Sequence, residues 1–154
     1  MTFSPRLIEA KLALNMVHPE DFPMLAIDAL EADLDGPTIR KMSGLVQPSG
    51  YTTDLLRERF MAEAGLVTIS KDTACARLAQ ELAREAIRSG AEPLQFTKDL
   101  EQLWIAADYP PALIAIGSLH EEVYVSEYMG HTFSETREMV RKRLLEFAEL
   151  PDAP

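Results

Sequence analysis

Residues 120–131 read HEEVYVSEYMGH and gather two of the chain's three histidines with three glutamates and two tyrosines. Three chemistries suit such a set. Imidazoles and carboxylates can share a metal ion. A histidine beside a carboxylate titrates near neutrality and can move protons. An acidic surface edged by tyrosine suits protein recognition, where aromatic side chains are frequent anchors. The metal reading fails on spacing. Zinc-protease helices need H-E-x-x-H, which sets two imidazoles one helical turn apart, and Tyr124 stands where the second histidine belongs. Di-iron bundles need E-x-x-H, but the residues three before His18, His120 and His131 are Asn15, Gly117 and Tyr128. A set of His120, Glu127 and His131 closes only if a turn at Gly130 folds His131 back. No catalytic residue, metal ligand or cofactor is therefore assigned. The preferred reading puts Glu121, Glu122, Tyr124, Glu127 and Tyr128 on a partner-binding surface. The alternative is an enzyme or small-ligand protein with a pocket around His120, Tyr124 and Glu127.

Elsewhere the chemistry is thinner. Cys75 is the single cysteine, so no intrachain disulfide and no thiolate-rich metal site can form. It falls among apolar neighbours, which favours packing over nucleophilic use. Asp33-Leu34-Asp35-Gly36 resembles the opening of a calcium loop, but the twelfth position is Gly44 where a glutamate is required. Neither a dinucleotide-binding glycine pattern, nor a phosphate-binding loop, nor a nucleophile elbow occurs. Trp104 is spaced with Leu100, Leu103 and Ala107, which reads as core. The one tight basic run, REMVRKR from Arg137 to Arg143, is expected to pair with acids on a neighbouring helix.

With 15 basic and 25 acidic residues, the chain's formal net charge is −10. Such a field repels phosphate backbones, so nucleic acid is a poor partner and a basic protein is a permitted one. Between residues 89 and 136 Lys98 is the only base among eight acids. No apolar run reaches the roughly 18 residues of a membrane span, and Glu9 and Lys11 break the apolar character of the opening segment early, against a secretory leader. A cytoplasmic setting, no membrane and an open oligomeric state are the expectations.

The elements that must position these residues read as helices. Ser4-Pro5 is a start signal. Pro23 belongs in a first turn, with Asp21 as cap and Phe22, Leu25, Ala26, Ala29 and Leu30 on one face. Asp35-Gly36-Pro37 ends that helix and opens a short one to Ser43. Further helices are expected over Thr53–Ala64, Lys71–Ser89, from Pro93 with Phe96 to Ala107 inward, over Ala112–Met129, and from a Thr132/Glu135 capping box onward. Leu66–Ile69 is β-branched but has no partner strand, so it reads as a connector. In the helix 112–129, Leu113, Ile116, Gly117, His120, Val123 and Tyr124 share the inward stripe, while Glu121, Glu122 and Ser126 lean out.

The expectation is an all-α single compact domain of seven or eight helices over residues 1–150, with sub-halves of about 1–66 and 67–150 and a loose tail at 151–154. Helical hairpins stacked in two packed halves are one arrangement open to it. The stretches PEDFPMLAIDALEADLDGPTIRKMSGL and ELAREAIRSGAEPLQFTKDLEQLW resemble a family of small bacterial proteins. The resemblance implies an all-helical fold and no established activity, substrate or cofactor, so it assigns no site residues. Function is thus expected to be non-catalytic protein binding, with an immunity or inhibitor role against a basic partner as one form of it.

Overall fold

A computed structural model describes residues 3–154, so the first two residues of the opening segment lie outside it. Among the described residues there are nine α-helices and no strand. They are α1 (Pro5–Ala13), α2 (Phe22–Glu31), α3 (Pro37–Ser43), α4 (Gly50–Glu63), α5 (Lys71–Ser89), α6 (Thr97–Ala106), α7 (Ile114–Gly117), α8 (Leu119–Tyr128) and α9 (Phe133–Ala148). The all-α expectation holds. The count rises because the segment expected as one helix over 112–129 is broken at Ser118.

The chain divides into two compact units, Met1–Ser70 and Lys71–Pro154. In the first, Ile8 and Leu12 of α1 meet Phe22, Ala26 and Ala29 of α2, Ile39 and Met42 of α3, and Phe60 of α4. Phe60 is fully enclosed and meets the Phe22 ring edge-on at 6.1 Å. Each such large side chain contributes about 1.5–3 kcal/mol on burial. Leu66, in the connector, joins this core. Glu63 of α4 reaches across to α3. Its carboxylate accepts from the backbone N–H of Thr38 and of Ile39 at 2.9 Å each, capping a helix start that Gly36 and Pro37 leave bare. Gly36 was expected as the stop of α2, yet its backbone is extended. A Cβ there would sit 2.4 Å from Glu63 Oε2, so the position is kept small by the capping carboxylate.

The actual stop of α2 is Asp33, at φ 62°, and Asn15 and Asp108 end α1 and α6 in the same left-handed conformation. These short polar side chains tolerate that region. In each case the next residue's N–H reaches back to close the last turn, as with Leu34 to Ala29 O at 3.0 Å. Asp21, expected to cap α2, instead accepts from the backbone N–H of His18 at 2.8 Å, across a 3-10 turn at Pro19–Asp21.

In the second unit α5 packs against α9. Ala74, Ala79, Ala83 and Ala86 of α5 are buried, and Val140 and Leu144 of α9 are fully enclosed. Leu100, Ile116 and Leu119 bring in α6, α7 and α8. Cys75 is enclosed on the α5 face, and burial pushes its thiol up in pKa. The same helix carries one buried amide, Gln80. It donates to the carbonyls of Leu150 and Pro151 at 3.0 Å each and accepts from Ala153 N–H at 2.9 Å. Arg84 adds an ion pair to Asp152 at 2.8 Å. The tail at 151–154, read as loose, is hydrogen-bonded along α5 in this way, and Arg77 donates to the Pro154 carbonyl at 2.7 Å.

Candidate functional site

The break that creates α8 starts at Gly117. A Cβ there would lie 2.3 Å from Trp104 Cγ, so α7 and α6 touch through an indole ring lying on a bare backbone. At the next residue Ser118 turns its hydroxyl onto the Ile114 carbonyl at 2.7 Å. Such back-bonding bends helices, and α8 restarts with a different face inward. Leu119 is then buried and His120 exposed. The inward stripe read from the sequence is corrected accordingly. Leu113, Ile116 and Gly117 are buried and Val123 is half-buried, whereas His120 and Tyr124 face out. Ser126, expected outward, is buried. Its Oγ lies 2.7 Å from Thr136 Oγ1 and 3.0 Å from His131 Nδ1.

Gly130, at φ 82°, does fold the chain back: His131 N–H donates to the Ser126 carbonyl at 3.1 Å. The imidazole thereby comes to Ser126 rather than to His120 or Glu127. His120 itself is held by Thr97, the first residue of α6, with Nδ1 3.1 Å from the Thr97 hydroxyl. Among the described residues no group of three His, Cys, Asp or Glu side chains comes together as a metal site.

Instead α8 and α9, antiparallel and joined by the Gly130 turn, enclose a groove of about 360 Å³. Its apolar lining is Val125 from α8, Met129 at the C-cap of α8 and Met139 from α9, and Glu121, Glu122 and His131 also line it. Glu122 is not free at the rim. Arg143 of α9 grips it in a fork, at 3.0 and 3.1 Å, and also donates to the Ala115 carbonyl at 3.0 Å. Arg137 similarly pairs with Glu92 at 3.0 Å. Arg143 thus meets an acid of a neighbouring helix, as read, whereas the partner of Arg137 lies in the connector after α5.

Of the five residues read as partner-binding, Glu121 and Glu122 line the groove. Tyr124, Glu127 and Tyr128 lie outside it on the exposed side of α8. The alternative trio His120, Tyr124 and Glu127 is likewise outside it. Val125, Met129 and Met139 were not singled out from the sequence. The signal that could have found the first two is their i,i+4 spacing, one turn apart at the end of α8.

The first unit holds a second, smaller groove of about 250 Å³, lined by apolar Leu12, Met61, Val67 and Ile69 and by charged Asp54, Arg57 and Glu58. Glu9 lies in its wall, 7% exposed, accepting from Val67 N–H at 3.1 Å. The sequence showed Glu9 only as an interruption of apolar residues.

Fold and grooves define an all-helical protein with an exposed helical hairpin in its second unit. Among the described residues no helix is long and apolar enough to cross a membrane. No protein-family model, curated protein or solved structure matches the chain.

Proposed function

We propose that the chain is a non-catalytic protein-binding module and that the α8–α9 hairpin is its contact surface. One observation carries the reading. Within ten residues, Tyr124, Val125, Tyr128, Met129 and Phe133 are 48–84% exposed. Leaving this much apolar surface in water is unfavourable, and such patches mark interaction sites. Tyrosine and methionine are enriched where proteins meet, and Glu121 and Glu127 beside them favour a basic partner. Inhibition of a basic protein, in the manner of an immunity protein, is one form this function takes.

The test is affinity capture with the native chain and with the double variant Tyr124→Ala/Tyr128→Ala. Both side chains are exposed, so the fold should survive. Hot-spot aromatics cost about 2 kcal/mol or more each when truncated, so a specific partner should fall by at least about tenfold in recovery. Equal recovery of every captured protein by both forms refutes the reading.

A further inference from the structure

We propose that the groove between α8 and α9 seats an amphipathic basic helix of a protein partner. This rests on the protein-binding reading above and names the element that would bind.

The walls decide the shape of the occupant. Both are helices, whose interior backbone groups are already bonded within each helix. No strand edge is offered, and an extended peptide would find no main-chain partners. What the groove does offer is Val125 on α8 and Met129 one turn on, at the helix's C-cap, with Met139 of α9 in the same lining. Ridges at one-turn spacing intercalate with the i,i+3 and i,i+4 ridges of another helix. Ten residues of α8 span about 15 Å, so the occupant would contribute between two and three turns. Methionine lining adapts to different apolar side chains.

Charge selects the sign. Glu121 lies in the lining. Glu135 and Glu146 lie four residues before and seven after Met139, on its side of α9. All three are exposed, and Lys142 is the exposed cation on that side of α9. Arg143 is already matched to Glu122. The groove face is therefore acidic around an apolar floor, the complement of a helix with Leu-type residues on one stripe and Lys or Arg flanking it. A second copy of this chain is a poorer fit. It would bring a net charge of −10 against −10, with Arg137 and Arg143 already committed to Glu92 and Glu122.

The probe is a fluorescein-labelled Leu/Lys peptide of about 18 residues with apolar residues at helical spacing, long enough to hold a helix. Its controls are a scrambled Leu/Lys peptide of identical composition and a Leu/Glu peptide of the helical pattern. Fluorescence anisotropy should show the helical Leu/Lys peptide binding at least roughly tenfold more tightly than either control. Met129→Gln/Met139→Gln keeps length and charge while removing the apolar floor, and should weaken binding by about tenfold. Met129→Gln alone, at a largely exposed side chain, puts the fold at no risk and should weaken it about threefold. Tyr124→Ala, outside the groove, should change binding of the peptide less than about twofold, since the tyrosines meet only those parts of a whole partner that lie beyond its groove-seated helix.

No binding of the helical peptide, equal binding of the scrambled one, or indifference to both glutamine variants overturns the groove assignment. Binding that is lost in Tyr124→Ala/Tyr128→Ala but kept in the glutamine variants also sinks the groove, while leaving the protein-binding reading standing. Equal capture of all partners by the tyrosine variant sinks that reading instead. Self-association in sedimentation that the glutamine variants abolish would make a second copy the occupant and overturn the proposal.

Discussion

Gly117→Ala sets two energies against each other. An alanine replacing a helical glycine gains about 1 kcal/mol of helix propensity. Here the new methyl would lie 2.3 Å from Trp104 Cγ and 2.5 Å from Trp104 Cβ. The nearest atoms belong to the root of the side chain, which cannot swing away without moving α6. Overpacking of this kind costs about 1–3 kcal/mol, and such short contacts place it at the upper end. The net expectation is a loss of about 2 kcal/mol, or about 4–8 °C in Tm for a chain of this length. Urea denaturation followed by the fluorescence of Trp104, the chain's single tryptophan, reads the effect at the site of strain. Gly50→Ala is the control. Its Cβ would meet only Pro19 Cγ at 3.8 Å, an ordinary contact, so that variant should be neutral or slightly stabilised. Combining Gly117→Ala with Trp104→Leu, monitored by far-UV circular dichroism, should recover part of the loss through a coupling energy of about 1 kcal/mol or more. If Gly117→Ala is as stable as the parent, propensity alone governs the position. The account of why α7 ends there then fails.

Two further expectations concern tertiary contacts between distant residues. Partial desolvation would by itself raise the Glu63 carboxyl; hydrogen bonds from the backbone of Ile39 and Thr38 and from the Thr38 hydroxyl, with the charge of Arg59, outweigh it and hold the pKa below its usual value. Because the folded pKa is the lower one, the stabilisation is present above the unfolded carboxyl's pKa and is lost as pH falls through the folded one. The parent should therefore lose more stability than Glu63→Gln on acidification from neutral pH, and parallel melting curves against pH would refute the capping role. Gln80→Leu removes the hydrogen bonds to the Leu150 and Pro151 carbonyls and from the Ala153 N–H, and should cost about 1–3 kcal/mol. Faster amide exchange at Ala153 should accompany the loss, and unchanged protection there would show that the amide does not hold the chain end.

Much of the helical layout was legible one turn at a time. Ser4-Pro5, Thr132 and Gly130 mark helix ends through their own backbone or side-chain chemistry, and the observed α5 matches the expected Lys71–Ser89 span. Helix stops at Asn15, Asp33 and Asp108 were harder to see, because asparagine and aspartate adopt the left-handed region less openly than glycine does. The site was legible in part. Glu121 and Glu122 were placed near it, but the face of α8 was read out of phase. A periodicity argument carries a helix straight on at 100° per residue. It had no means of knowing that the Trp104 ring would lie on Gly117 and that Ser118 would bend the chain.

The amino-acid order by itself determined that the described chain is all-α, where most of its helix breaks fall, and that its middle is acidic. Those properties are local: they depend on apolar side chains recurring once per turn, on prolines and capping residues, and on a sum of charges. Tertiary structure decided which stripe of α8 is buried, that Glu63 caps α3, that Arg143 neutralises Glu122, and that Val125, Met129 and Met139 share a groove. Each of these joins residues from different helices, and their distance is set by how side-chain volumes pack. No spacing along the chain encodes that distance.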